Sequence, residues 1–167
     1  MADLSMETLL HPPFESDPPL KFNMNAKLLG LILAIVYAIF ALFSLIGIPL
    51  AFAGSAFLAA SGYHGVAFLV VIGAIVAAIG DVFVALGGWK MNNLNGDGKR
   101  QVVLGLALGV VASVIGAIGS LSFTGVIGAL LVAAIIYYLV IISRFPGEQP
   151  LVAGSGVTTG GAPPPSA

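Results

Sequence analysis

Asp81 is the residue of this sequence that most needs a chemical explanation. It stands inside the apolar run from Val66 to Gly88, and no other charged residue lies in the interior of such a run. An aspartate at the centre of a membrane helix costs about 2.5–3.5 kcal/mol on insertion scales, and such residues face a bundle interior or a water-filled cavity. Two chemistries fit. One is the handling of a proton or cation. The other is a structural carboxyl that hydrogen-bonds a hydroxyl and ties two helices together. Asp81 lies seven residues before Gly88, so roughly 10 Å below the end of its run at 1.5 Å per residue. Tyr137 and Tyr138 lie at similar depth in the last apolar run, with Gly109 at matching depth in the third and Tyr37 a little deeper in the first. Depth therefore predicts a polar site of Asp81, Tyr137 and Tyr138, with Tyr137 as the preferred partner.

Glycine spacing carries the second signal. Gly105 and Gly109 are followed by Ala112, Gly116 and Ser120 at intervals of three or four residues, which puts small side chains on one helix face. Gly73, Ala77, Gly80 and Gly88 do the same in the preceding run. Small residues let membrane helices approach backbone to backbone. Gly105, Gly109, Gly116, Gly73 and Gly80 are thus expected at helix–helix contacts, within the bundle or against another protein.

Other motifs carry less. Asn93-Leu94-Asn95-Gly96-Asp97-Gly98 opens like a calcium loop, with oxygen-bearing residues at positions one, three and five and glycine at six. Position twelve is Leu104, where a bidentate glutamate is needed, and position one is a neutral asparagine. Asn-Gly and Asp-Gly are ordinary turn dipeptides. His64 follows Tyr63 between two runs and His11 lies near the N-terminus, neither with a second metal ligand at useful spacing. There is no cysteine, so thiolate metal sites and a cysteine nucleophile are excluded. Nucleophile elbow, phosphate loop and zinc-protease helix motifs are absent from the sequence. The expectation is a protein that is not an enzyme and uses no metal or cofactor.

Composition says what must position these residues. Hydrophobic residues make up 59% of the chain and charged residues 8%, with a mean hydropathy of +1.09. Soluble domains carry about 25% charged residues, and a fold this poor in charge could not cover a water-facing surface. A bilayer removes that requirement, and its hydrogen-bonding demand leaves helices as the spanning elements for runs of this kind. The net charge of −1 offers no footprint for nucleic acid.

The runs predict an all-α, polytopic four-transmembrane-helix bundle over residues 26–145. Spans are expected at about 27–48, 66–88, 101–119 and 125–143. Pro49 divides the first apolar run, so residues 50–60 are expected either as an interfacial or re-entrant helix or as the continuation of a kinked, tilted first span. Residues 1–25 are polar and proline-bearing, and residues 146–167 are rich in Gly, Ser, Thr and Pro; both read as disordered tails. The six basic residues, Lys21, Lys27, Lys90, Lys99, Arg100 and Arg144, all fall on one side of a four-span arrangement. The positive-inside rule then makes both termini cytoplasmic. These features predict a multi-pass protein of the plasma (inner) membrane whose partners are the lipid bilayer and another membrane protein or a second copy. Its expected role is that of a non-enzymatic accessory or structural subunit, and the competing one is a small proton- or cation-coupled transporter using Asp81.

Overall fold

In a computed structural model of the chain, which describes residues 6–15, 18–20, 24–120 and 124–146, the architecture is all-α. A short helix α1 (Met6–Leu10) and a 3-10 turn (Pro13–Glu15) precede four long helices: α2 (Ala26–Ala60), α3 (His64–Asn92), α4 (Asp97–Ser120) and α5 (Thr124–Ile142). Each of the four is long and apolar enough to cross a membrane. The chain is therefore a four-helix, multi-pass membrane bundle.

Local chemistry sets the helix ends. Asn25 caps α2 with extended backbone, and its side-chain oxygen accepts from the Lys27 N–H at 2.9 Å, satisfying one of the donors that a helix start leaves open. At the other end Gly62 takes φ +89°, and the Tyr63 N–H returns to the Leu58 carbonyl at 2.9 Å. This left-handed glycine stop reverses the chain into α3. Between α3 and α4 the reversal uses Leu94 at φ 61° and an Asn95 side chain that accepts from the Asp97 N–H at 3.0 Å. The segment that opens like a calcium loop is thus a helix-to-helix turn.

Pro49 does not end the first span. α2 runs through it as a single 35-residue helix, so residues 50–60 extend the span and form no separate interfacial helix. Proline removes one hydrogen bond to the carbonyl four residues back, here Leu45, a loss that membrane helices tolerate. At 1.5 Å per residue α2 is roughly 50 Å long, against a hydrocarbon core of about 30 Å. It crosses tilted or projects beyond the core.

The helices pack in chain order, α2 on α3, α3 on α4 and α4 on α5. Their shared core lies at one end. Leu29 and Leu33 of α2, Val84 and Met91 of α3, Val102 and Leu106 of α4 and Val140 of α5 form one buried cluster there. Backbone bonds close the row at the same end. The Ala26 N–H donates to the Arg144 carbonyl at 2.8 Å, and the Arg144 N–H to the Met24 carbonyl at 3.1 Å. The Lys99 ammonium donates to the carbonyl of fully buried Ser143 at 2.6 Å. Lys27, Lys90, Lys99, Arg100 and Arg144 all belong to this end; Lys21 lies outside the described residues. Toward the opposite end Leu45, Ile46, Leu50 and Phe57 of α2 and Ile127, Leu130 and Leu131 of α5 are exposed. In water such a surface would drive aggregation; in a bilayer it meets acyl chains.

Glycines set the closest approaches. A methyl built on Gly105 of α4 would stand 2.7 Å from the Gly80 carbonyl oxygen and 2.7 Å from the Val84 nitrogen of α3. One on Gly88 of α3 would stand 2.7 Å from the Gly30 oxygen and the Ala34 nitrogen of α2. Only a residue without Cβ allows backbones this near.

The N-terminal segment corrects an expectation. Residues 1–25 read as a disordered tail, yet α1 and the Pro13–Glu15 turn are regular structure lying on the bundle. Phe14 packs against the rings of Tyr137 and Tyr138, at centroid distances of 6.2 and 5.6 Å. Composition alone misses this order because it depends on aromatic partners more than a hundred residues away. The C-terminal tail lies outside the described residues from residue 147 onward.

Candidate intramembrane polar site

Asp81 faces α2. Gly88, two turns later on α3, meets Gly30 and Ala34 of α2, and a spacing of seven residues returns to the same helix face. On α2 the matching stripe is Gly30, Ala34, Tyr37, Ala41 and Ser44, at intervals of three and four. Ala34 and Ala41 on this stripe are buried.

The Ser44 hydroxyl donates to Asp81 Oδ2 at 2.6 Å in a half-buried setting. That length is typical of a hydroxyl held by a carboxylate. Tyr37, two turns before Ser44, lies on the same stripe. Among the described residues no Lys or Arg bonds this carboxyl, and Ser44 is its hydrogen-bond donor. A carboxylate has about four acceptor positions, so the bond to Ser44 leaves capacity. The carboxyl can accept a further donor besides Ser44.

Tyr137 and Tyr138 do not join Asp81. The Tyr137 hydroxyl donates to the Leu9 carbonyl. The Tyr138 hydroxyl donates to the Leu20 carbonyl at 2.9 Å, and the Leu20 N–H bonds that same hydroxyl at 3.0 Å. Both phenols serve the backbone of the N-terminal segment, whose groups need partners wherever no helix supplies them. The physical reason is azimuthal. α5 lies beyond α4 in the row, and the Asp81 face of α3 is turned to α2. Depth was readable from residue counting, whereas the neighbour at that depth was not. The stripe through Ser44 was the signal available, since Gly30, Ala34 and Ala41 mark a small face on the first span as well.

The glycine positions divide. Gly105 and Gly80 lie at a close α3–α4 approach, and Gly73 is in ordinary contact with Ile115 at 3.5 Å. Gly109 touches the approach through its backbone nitrogen, 3.1 Å from a methyl built on Gly80. The Cβ directions of Gly109 and Gly116, however, meet nothing within 4 Å among the described residues. The same holds for Gly47 and Gly54 on α2 and Gly125 and Gly128 on α5. Gly88, part of the spacing argument, is a close-approach position, and so are Gly30, Gly87 and Gly98, which that argument passed over. A methyl on Gly98 would stand 2.6 Å from the Gly87 oxygen.

Among the described residues no group of three or more His, Cys, Asp or Glu side chains gathers as a metal site. No family model, no curated protein and no solved structure matches this chain.

Proposed function

We propose that this multi-pass protein is a non-enzymatic accessory or structural subunit of the plasma (inner) membrane, packing laterally against helices of a partner protein or of a second copy, with both termini cytoplasmic. The observation that carries the reading is the set of glycines on the long apolar helices whose Cβ directions meet nothing within 4 Å among the described residues: Gly47, Gly54, Gly109, Gly125 and Gly128. Inside the bundle glycine is used where backbones meet, at Gly80–Gly105 and Gly30–Gly88. Outside it the same residue type leaves shallow grooves between exposed Ile, Leu and Val side chains, a surface suited to another helix. The orientation rests on the basic residues gathered at the end where the N-terminal segment meets Arg144.

The absence of native cysteine makes the test direct. Single cysteines at Gly109, Gly128 and, as a buried control, Val84 are introduced one at a time and oxidised or cross-linked in native membranes. Gly109→Cys and Gly128→Cys are expected to give discrete higher-mass species, and Val84→Cys none. Uniformly monomeric products at both glycine positions would contradict lateral association.

A second reading is favoured by one arrangement, the Asp81–Ser44 pair between α2 and α3. A carboxyl and a hydroxyl bonded to each other within the spans support a proton- or cation-coupled transporter with Asp81 as the titrating group. Reconstituted Asp81→Asn protein separates the two readings. It retains any partner association in the subunit reading and loses coupled flux in the transport reading.

A further inference from the structure

We propose that the face of the bundle at Asp81 and Ser44 docks a transmembrane helix of a different protein, and that this helix carries a lysine or arginine inside its span. The inference rests on the lateral-association reading and names the chemistry of the partner.

The closed core stops just short of the carboxyl. Val84, three residues on along α3, is fully buried in the cluster that also holds Val140 of α5. Tyr37 of α2 packs against the same cluster. Asp81 stands one turn beyond Val84 and Ser44 two turns beyond Tyr37, both away from the basic end. Toward the opposite end Leu45 and Leu50 of α2 and Leu130 and Leu131 of α5 are exposed. The Asp81–Ser44 pair is only half-buried, so the helices around it do not seal the carboxyl. Gly47, three residues on from Ser44, has no side chain, and its Cβ direction meets nothing within 4 Å among the described residues. A helix backbone can approach closely there.

Charge selects the occupant. The Ser44 bond at 2.6 Å uses one of about four acceptor positions of a carboxylate. Among the described residues no Lys or Arg bonds this carboxyl. Lys90, nine residues on along α3, is roughly 13 Å away along the axis. Acids and bases within spans are costly singly and pair with one another, so a basic residue on the docked helix and Asp81 relieve each other. The long stem of a lysine or arginine lets its charged head reach a half-buried group from the helix surface. A second copy of this chain cannot supply that cation. Lys27 opens α2, Lys90 lies in the last turn of α3, Lys99 and Arg100 open α4, and Arg144 follows α5. Lys21, the remaining basic residue, precedes the first span. None lies inside a span, so the partner is a different chain.

The test uses the purified full chain in phosphatidylcholine liposomes, with a donor fluorophore on Asn95→Cys. Three acceptor-labelled leucine–alanine helices of spanning length are titrated into the bilayer, with lysine, glutamine or leucine at the centre. Central placement serves either direction of insertion. Energy transfer is expected to show the lysine helix associating roughly threefold or more tightly than the glutamine helix, in the range of interhelical polar pairs in membranes. Asp81→Asn, with helical content unchanged by circular dichroism, should abolish that difference. Asp81→Glu should keep it, and so should Ser44→Ala, which leaves the carboxylate in place. Equal association of the lysine and glutamine helices with the parent chain would overturn the proposal. A lysine preference that persists in Asp81→Asn would overturn it as well. The cross-links at Gly109→Cys and Gly128→Cys report lateral association independently, so failure here with those cross-links intact removes the charged partner and leaves the broader reading standing.

Discussion

A carboxyl at membrane depth must neutralise itself, find a donor or meet water, and Asp81 finds Ser44. Interhelical polar pairs in membranes average about 0.6 kcal/mol and reach about 1.7, so the bond between α2 and α3 is a modest contributor to stability. Its signature is coupling. A double-mutant cycle of Asp81→Ala with Ser44→Ala, read by unfolding in mixed detergent, should return a coupling of about 0.6 kcal/mol or more. The parallel cycle of Asp81→Ala with Tyr137→Phe should return none. Equal coupling in both cycles would mean that the last helix, and not the first, supplies the partner. Tyr138 makes the complementary case. Its hydroxyl both donates to and accepts from Leu20, so Tyr138→Phe removes two bonds from the N-terminal segment. Limited proteolysis should then cut before residue 24 several times faster than in the parent protein, with the helices intact. An unchanged rate would show that Phe14 packing alone holds the segment.

At the scale of elements, the helices are held by backbone proximity. Ordinarily Gly→Ala in a helix stabilises by up to about 1 kcal/mol. At Gly105 the added methyl would meet the Gly80 carbonyl at 2.7 Å, and forced overpacking costs about 1–3 kcal/mol. Gly105→Ala should therefore lower the thermal midpoint in detergent. Gly54→Ala, with nothing within 4 Å, should leave it unchanged or raise it. A common sign for the two would deny the close α3–α4 approach. These elements were legible in the sequence to different degrees. The lengths of the apolar runs located the helices. The continuity of α2 through Pro49 was open, because a proline that would end a soluble helix is tolerated in lipid. Facing was hardest. Spans that are apolar on every side carry no amphipathic stripe to say which face turns inward. Asp81 was thus legible as inward and at its depth, while its partner on α2 was not.

The whole molecule is asymmetric between its two ends. One end holds the buried cluster, the Met24–Arg144 and Ala26–Arg144 bonds, the Lys99–Ser143 bond and the packed N-terminal segment. The other spreads exposed apolar side chains of α2 and α5 beside unfilled glycine grooves. This is the distribution expected of a bundle that is closed at its basic surface and completed elsewhere by lipid or by another helix.

The measurement that bears most directly on the four-span account is side-specific thiol labelling in the cysteine-free chain. Single cysteines are placed at Gly62, between α2 and α3, and at Asn95, between α3 and α4, and treated with a membrane-impermeant maleimide in intact and permeabilised cells. The account predicts that Gly62→Cys labels in intact cells and that Asn95→Cys labels only after permeabilisation, since α3 crosses the membrane between them and the basic end lies inside. Labelling of both positions from the same side would contradict a membrane-spanning α3, and with it the four-helix bundle.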